Sequence, residues 1–203
     1  MKLVAAALLF PFLLSPAFAQ SGAQMMEGET VVYPDEAPYP AGLAARGVQG
    51  RAVVRVKVGA EGKASAVAIA TSSRSPELDK AALALARALP YTPAKAGVAP
   101  DELLVPIRFR KDSLAELPNK TCADFNIDKA YFAATFPELE TGDMEVVRMA
   151  TGALLLTLPA AQQMPYAQNS SAVAAAALAA CATQPHEKLF TLMQREAAKL
   201  SRK

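Results

Sequence analysis

The sequence predicts an α+β protein, in which a small antiparallel three-stranded sheet with helices is followed by an all-α domain held together by a disulfide. In segments 51–58 and 103–109, apolar and polar side chains alternate, which is typical of half-buried strands. Between them, a further strand is predicted over 63–72, directly after the turn-forming stretch GAEG, so it is the second strand in chain order. From residue 121 onward the alternation stops and only helical patterns remain.

A helix is predicted between the second and the third strand. Ser75 can accept backbone N–H groups of the first turn, Pro76 suits the first helical position, and Pro90 ends the run. Its apolar stripe comprises Leu78, Ala81, Ala82, Leu85 and Leu89. A shorter helix is predicted from about residue 41 to Gly47, because glycine is a favoured residue after a helix end.

The connections between the strands predict their order. A crossover through the helix makes the second and third strands run in the same direction, so an all-antiparallel sheet needs the first strand between them. The third strand is then an edge strand. Pro106 agrees with this position, because proline lacks the backbone N–H that a central strand needs.

The first 19 residues have the pattern of a cleavable signal peptide. Lys2 precedes an apolar run over 3–14, and the stretch Ala-Phe-Ala before Gln20 fits cleavage between Ala19 and Gln20. The apolar run contains a proline and is shorter than the roughly 20 residues of a membrane span, which favours cleavage over the alternative, an inner-membrane anchor. Cleavage would leave an exported chain with no further membrane span.

The chain has two cysteines, Cys122 and Cys181, and export places them in an oxidising compartment. A disulfide between them is therefore predicted. It would tie the first helix of the all-α domain to the third. Two alternatives stay open: a pair of buried free thiols, or a reactive cysteine for which His186 is the only imidazole base in the chain.

Composition and motifs argue against catalysis and against nucleic acid as a partner. The formal net charge is only +2, whereas nucleic-acid binding favours a basic surplus on one face. The sequence has no nucleophile–histidine–acid set, no glycine-rich phosphate loop and no metal-ligating cluster, so neither an enzyme nor a cofactor is predicted. Asp124 and Asp128 are expected on a solvated helix face, and His186 on the surface.

The second half of the chain is predicted to form four helices, over 121–136, 143–158, 170–183 and 185–200. Thr121 can cap the first of them, and Phe125 is expected to point inward. The breaks are assigned to Pro137, Gly142, Pro159, Pro165 and Pro185. The predicted organisation is signal peptide 1–19, tether 20–32, sheet domain 33–111, linker 112–120 and helical domain 121–203.

Four pieces of the sheet domain together resemble the TonB C-terminal domain family over residues 33–111. They are the opening with Tyr39, Pro40, Ala44, Gly47 and Gly50, the hairpin VVRVKVGAEGKASAVAIATSS, the helix LDKAALALARALPYTPA and the closing VPIRF. The resemblance implies a helix-backed antiparallel sheet whose last strand pairs with a short peptide of an outer-membrane protein. The implied partner-binding residues are Leu104, Val105, Pro106, Ile107, Arg108, Phe109 and Arg110.

The helical domain resembles the HdeA family of small periplasmic acid-stress chaperones over about 121–200. The resemblance rests on TCADF, a distant ACATQP and a final amphipathic helix. It implies a helical domain with one disulfide between Cys122 and Cys181. The alternative is an unrelated helical domain with the same disulfide.

The function predicted from these features is that of a non-enzymatic protein in the periplasm of a Gram-negative bacterium. It would bind an extended segment of an envelope or outer-membrane protein through its edge strand, with the helical domain as a partner or chaperone-like unit. One alternative is an energy transducer for outer-membrane transport, retained in the inner membrane by its N-terminal segment. The other is an acid-stress chaperone. A homodimer is a further option for the assembly.

Overall fold

The computed structural model describes residues 39–40, 42–91 and 102–200. The predicted signal peptide, the cleavage site between Ala19 and Gln20, and the tether 20–32 lie outside the described residues and stay predictions. None of the helices within the described ranges combines the length and the hydropathy that a membrane span requires.

The sheet has three strands, as the alternation predicts: β1 (Gly50–Val58), β2 (Ala64–Thr71) and β3 (Glu102–Phe109). Their order is β2-β1-β3, and β1 is antiparallel to both neighbours. The prediction of a central first strand and an edge third strand is confirmed. The register sets Val54 opposite Val105 and Val53 opposite Pro106.

Helix α1 (Pro76–Ala88) packs on one face of the sheet and completes the first core. Ser75 accepts a hydrogen bond from the backbone N–H of Leu78, and Pro76 is the first residue of the helix, both as predicted. The buried residues of this core are Leu43, Val48, Ala52, Val54, Val56, Leu78, Ala82, Ala86, Tyr91, Val105, Ile107 and Phe109. The core thus combines the inward side chains of β1 and β3 with one stripe of α1.

The second half contains four helices: α2 (Cys122–Thr135), α3 (Glu145–Thr157), α4 (Ala160–Thr183) and α5 (Leu189–Leu200). They enclose a second core whose largest buried side chains are Leu117, Phe125, Met144, Leu154, Tyr166, Leu189 and Met193. Cys122 and Cys181 are bonded to each other and join α2 to α4, which confirms the predicted disulfide. Thr121 caps α2 by accepting the N–H of Asp124, and Phe125 is buried as expected.

The predicted helix boundaries in this half are wrong at two places. Helix α4 begins at Ala160 rather than near 170 and continues through Pro165. Tyr166 explains how: its side chain is buried, and its hydroxyl donates to the carbonyl of Thr151 in α3, so packing holds the turn that contains the proline. Helix α5 begins at Leu189 rather than 185, because the preceding Lys188 forms a short antiparallel bridge with Thr121.

The segment 112–120, predicted as a linker between domains, is folded against the helical half. It contains a 3-10 helix at Leu117–Asn119, and Leu117 is buried in the second core. Lys120 is also buried.

The segment that precedes β1 brings the sheet unit into contact with α2. A 3-10 helix at Ala44–Arg46 ends at Gly47, whose φ of 71° is in the left-handed region that favours glycine. A Cβ at Gly47 would lie 2.7 Å from the Cα atom of Asp128 in α2. Gly47 therefore allows both the turn and the close contact between the sheet unit and α2.

Candidate functional site

Within the described sheet, β3 is one of two edge strands, the other being β2. β3 pairs with β1 on one side, and none of the described strands pairs with it on the other. An open edge presents unpaired backbone N–H and C=O groups, which another extended segment can pair with.

The hairpin shows which β3 residues direct their backbone groups outward. Gly59 donates its N–H to the carbonyl of Lys63, so odd-numbered residues of β1 face β2 and even-numbered residues face β3. Val54 therefore directs its backbone groups toward its partner Val105, and Val105 directs its own toward β1. Because backbone groups alternate in direction along a strand, those of Leu104 and Arg108 point to the open edge. Pro106 falls between them, at a position where the missing N–H breaks no bond within the sheet.

The side chains of the predicted partner-binding residues divide into two sets. Val105, Ile107 and Phe109 are buried in the first core and can offer only backbone groups to a partner. On the other face Leu104 is 52% exposed, whereas Pro106 is buried. Arg108 lies on the same face, with a side chain that is 38% exposed.

The C-terminal end of β3 is held by the helical half. Arg108 Nη1 and Arg110 Nη1 each lie 3.3 Å from Glu145 Oε1, in the first turn of α3. Arg110 follows the last residue of β3 and is partly buried. One glutamate thus connects the end of the open strand to the helices.

A cluster of mostly buried charges joins the segment after β3 to α2, and sequence reasoning missed it. Lys120 Nζ lies 2.6 Å from Asp112 Oδ1 and 3.1 Å from Asp124 Oδ2, and it also binds Asp128 Oδ2. Lys111 Nζ lies 2.5 Å from Asp124 Oδ1 and 2.8 Å from Asp128 Oδ1. The Asp128 side chain is fully buried, and that of Lys120 is 2% exposed. These five residues are called the ion cluster below.

The environment shifts several pKa values in the ion cluster. Burial raises the pKa of the Asp112 carboxyl against the opposing effect of the Lys120 ammonium, and Asp112 Oδ2 accepts no hydrogen bond within the described part of the chain. Burial acts to raise the pKa of Asp124, but hydrogen bonds from Lys111 and Lys120 lower it overall. Burial acts to lower the pKa of Lys120, but its hydrogen bonds to Asp112 and Asp128 raise it overall.

The expectation that Asp124 and Asp128 occupy a solvated helix face is wrong for Asp128, which is fully buried, whereas the Asp124 side chain is 40% exposed. Asp128 comes three residues after the buried Phe125, so the two side chains lie on the same side of α2. That spacing was the available signal. The lysines that neutralise Asp128 lie eight and 17 residues away in the chain, and only the fold brings them to α2.

The carboxylates of Asp112, Asp124 and Asp128 approach within 4.8 Å of one another, a separation compatible with metal ligands. The ammonium groups of Lys111 and Lys120 already lie between them. Buried carboxylates need cationic partners, and here the lysines supply them. The ion cluster therefore joins the end of β3, the 112–120 segment and α2.

The lowered pKa of Asp124 predicts a loss of stability in acid. A carboxyl group with a folded-state pKa below its unfolded value of about 4 stabilises the fold above that pH, and this contribution disappears as pH falls through the folded pKa. Between pH 5 and pH 3 the variant Asp124→Asn should therefore lose less stability than the unmodified protein. Urea unfolding at each pH, followed by circular dichroism, measures the difference. Equal losses in the two proteins would contradict the assignment.

The geometry defines a class: a helix-backed antiparallel sheet with β3 at one edge, joined to a disulfide-bonded helical unit. Residues 35–110 match the family model described as Gram-negative bacterial TonB protein C-terminal. The match agrees with the resemblance over this part of the chain, and domains of this family interact with outer-membrane proteins.

Comparison with curated proteins and with solved structures finds no match to the chain. The resemblance of residues 121–200 to the HdeA family is not shown by these comparisons and stays a prediction.

Proposed function

We propose that this chain is a non-enzymatic periplasmic protein of the TonB family that binds an extended segment of an envelope protein by adding it to β3 as a fourth strand. The observation that carries the proposal is the open edge of β3 within a domain that matches the TonB C-terminal family. The partner would take its affinity from main-chain hydrogen bonds, and its preference from the outward side chains.

The chemistry of the edge limits what the partner segment can be. Leu104 offers an exposed apolar contact. Arg108, four residues further along β3, offers a positive charge on the same face. Because Pro106 supplies no N–H between them, the partner forms its hydrogen bonds on either side of that residue. A segment with an apolar residue near Leu104 and an acidic residue near Arg108 would suit this edge best.

The helical half would act as a partner domain that supports the binding strand. Glu145 connects Arg108 and Arg110 to α3, and the ion cluster fixes the chain that leaves β3. These contacts restrict the motion of the strand end before a partner arrives. A strand ordered in advance loses less entropy when it pairs with a partner.

The variant Leu104→Pro is expected to weaken partner binding about tenfold. It removes an outward N–H, and an unpaired partner carbonyl costs about 1–3 kcal/mol. The side chain of Leu104 is largely exposed, so the first core is left intact. Capture from envelope extracts identifies the partner segment, and fluorescence anisotropy with a labelled peptide of that segment then gives Kd.

Leu104→Ala is the matched control, because it shortens the same side chain and keeps the backbone N–H. Strand addition predicts a clearly larger loss for the proline variant than for the alanine variant. Equal affinity of the folded proline variant and the unmodified protein would place the site elsewhere.

A further inference from the structure

A cavity of about 340 Å³ lies between the start of β1, the end of β3 and the helices α2 and α3. Its size is within the range of pockets that bind small molecules, about 300–1,000 Å³. The TonB C-terminal match ends at residue 110, so the helical side of this cavity belongs to a part of the chain that the match does not cover. The cavity borders the end of β3 through Arg108 and Phe109 and does not include Leu104.

Part of the cavity wall is aromatic and apolar. Phe132 comes from the last turn of α2 and Phe136 directly follows its end, and their ring centroids are 5.3 Å apart. The guanidinium of Arg74 lies 5.0 Å from the centroid of Phe136 and also pairs with Glu138, which fixes this end of α2. Leu139 adds an apolar side chain that is 44% exposed. This wall offers flat apolar contact to a ligand.

The other part of the cavity wall carries positive charge. Arg51, Arg108 and Arg148 line it, together with the carboxylates of Asp143 and Glu145. Both carboxylates are engaged, since Asp143 accepts the N–H of Glu140 and Glu145 is shared between two arginines.

Arg148 is the residue with unused binding capacity. Its side chain is exposed and forms no hydrogen bond or ion pair with the described residues. A guanidinium that projects beside an apolar wall can hold an anionic group by two parallel hydrogen bonds while the rest of the ligand lies on the rings.

We propose that this cavity binds a small organic monoanion with an aromatic tail, a class that includes aromatic carboxylates and sulfonates. The anionic group pairs with Arg148, and the tail lies against Phe132, Phe136 and Leu139. A single unpaired arginine matches a single negative charge, which selects a monoanion over a polyphosphate. The inference concerns a second site, which shares Arg108 with the proposed strand-binding edge, and it does not depend on strand addition at β3.

The probe for this site is 1-anilinonaphthalene-8-sulfonate, whose fluorescence rises when its rings enter an apolar environment. Arg148→Gln should raise the Kd for this probe about tenfold, because a hydrogen bond to a charged group is lost. The Kd for N-phenyl-1-naphthylamine, which has the same rings without the sulfonate, should change less than about twofold. 1-Naphthoate should displace the sulfonate from the unmodified protein.

Two variants control for position. Arg87→Gln removes an exposed arginine of α1 that likewise has no described partner, and binding should be unchanged. Arg148 also borders a groove between α3 and α4, and Gly152→Val fills open space in that groove alone. Binding should again be unchanged.

The proposal is overturned if the unmodified protein does not bind the sulfonate, or if Arg148→Gln binds it as tightly. It is also overturned if Gly152→Val weakens binding as much as Arg148→Gln does, because the ligand would then occupy the groove between α3 and α4.

Discussion

Replacing both cysteines with serine, as Cys122→Ser and Cys181→Ser together, is expected to lower the free energy of unfolding of the helical half by about 4 kcal/mol. The bond joins residues 59 positions apart, and the loss of chain entropy for a loop of this length is about 4 kcal/mol. A domain typically has only about 5–15 kcal/mol of stability, so this is a large share. Urea unfolding followed by circular dichroism gives the free energy.

The loss should be confined to the helical half, because Cys122 and Cys181 both belong to the second core and neither contacts the first. Amide hydrogen exchange separates the two units. Amides such as those of Val54 and Ile107 should keep their protection, while those of α2 and α4 exchange faster. A stability loss below about 1 kcal/mol, or equal acceleration in the sheet, would contradict the assigned role of the disulfide.

Lys120→Met is expected to cost about 3–5 kcal/mol. Without this ammonium, Asp112 and Asp128 remain buried with only Lys111 to neutralise the ion cluster, and a buried charge without its partner is strongly destabilising. Methionine is close in length to lysine, so the loss of packing volume is small. The free energy of unfolding in urea at neutral pH measures the effect.

Lys199→Met is the matched control for this prediction. Lys199 pairs with Glu196 on the surface of α5, and its side chain is 64% exposed. Exposed ion pairs contribute about 0–1 kcal/mol, so this variant should change little. If the two methionine variants unfold at the same urea concentration, the ion cluster does not stabilise the fold in the way described.

Local pattern was sufficient to predict the sheet unit. The alternation in β1 is a property of neighbouring residues, and it places Ala52, Val54 and Val56 on the buried face without knowledge of the rest of the fold. Pro106 then distinguishes the edge position from the central one. The open edge, and the residues on it, therefore followed from the sequence.

The errors arose where distant contacts outweigh local preference. Pro165 is a helix breaker by its own chemistry, but the buried Tyr166 and its hydrogen bond to α3 keep the helix continuous. The spacing from Phe125 indicates on which side of α2 Asp128 lies, but its partners Lys111 and Lys120 come from elsewhere in the chain. Neither contact has a signature within a few residues of the chain. The cavity beside Arg148 is assembled in the same way, from strands and helices that are far apart in sequence.

The most direct test of strand addition at β3 is hydrogen exchange of individual β3 amides with and without the partner peptide. The register and the hairpin hydrogen bonds place the N–H groups of Leu104 and Arg108 on the open edge, and those of Val105 and Ile107 against β1. We predict that the peptide slows exchange at Leu104 and Arg108 and leaves Val105 and Ile107 at their existing protection. If saturating peptide slows hydrogen exchange at neither Leu104 nor Arg108, the partner binds elsewhere. That result would contradict the proposed function.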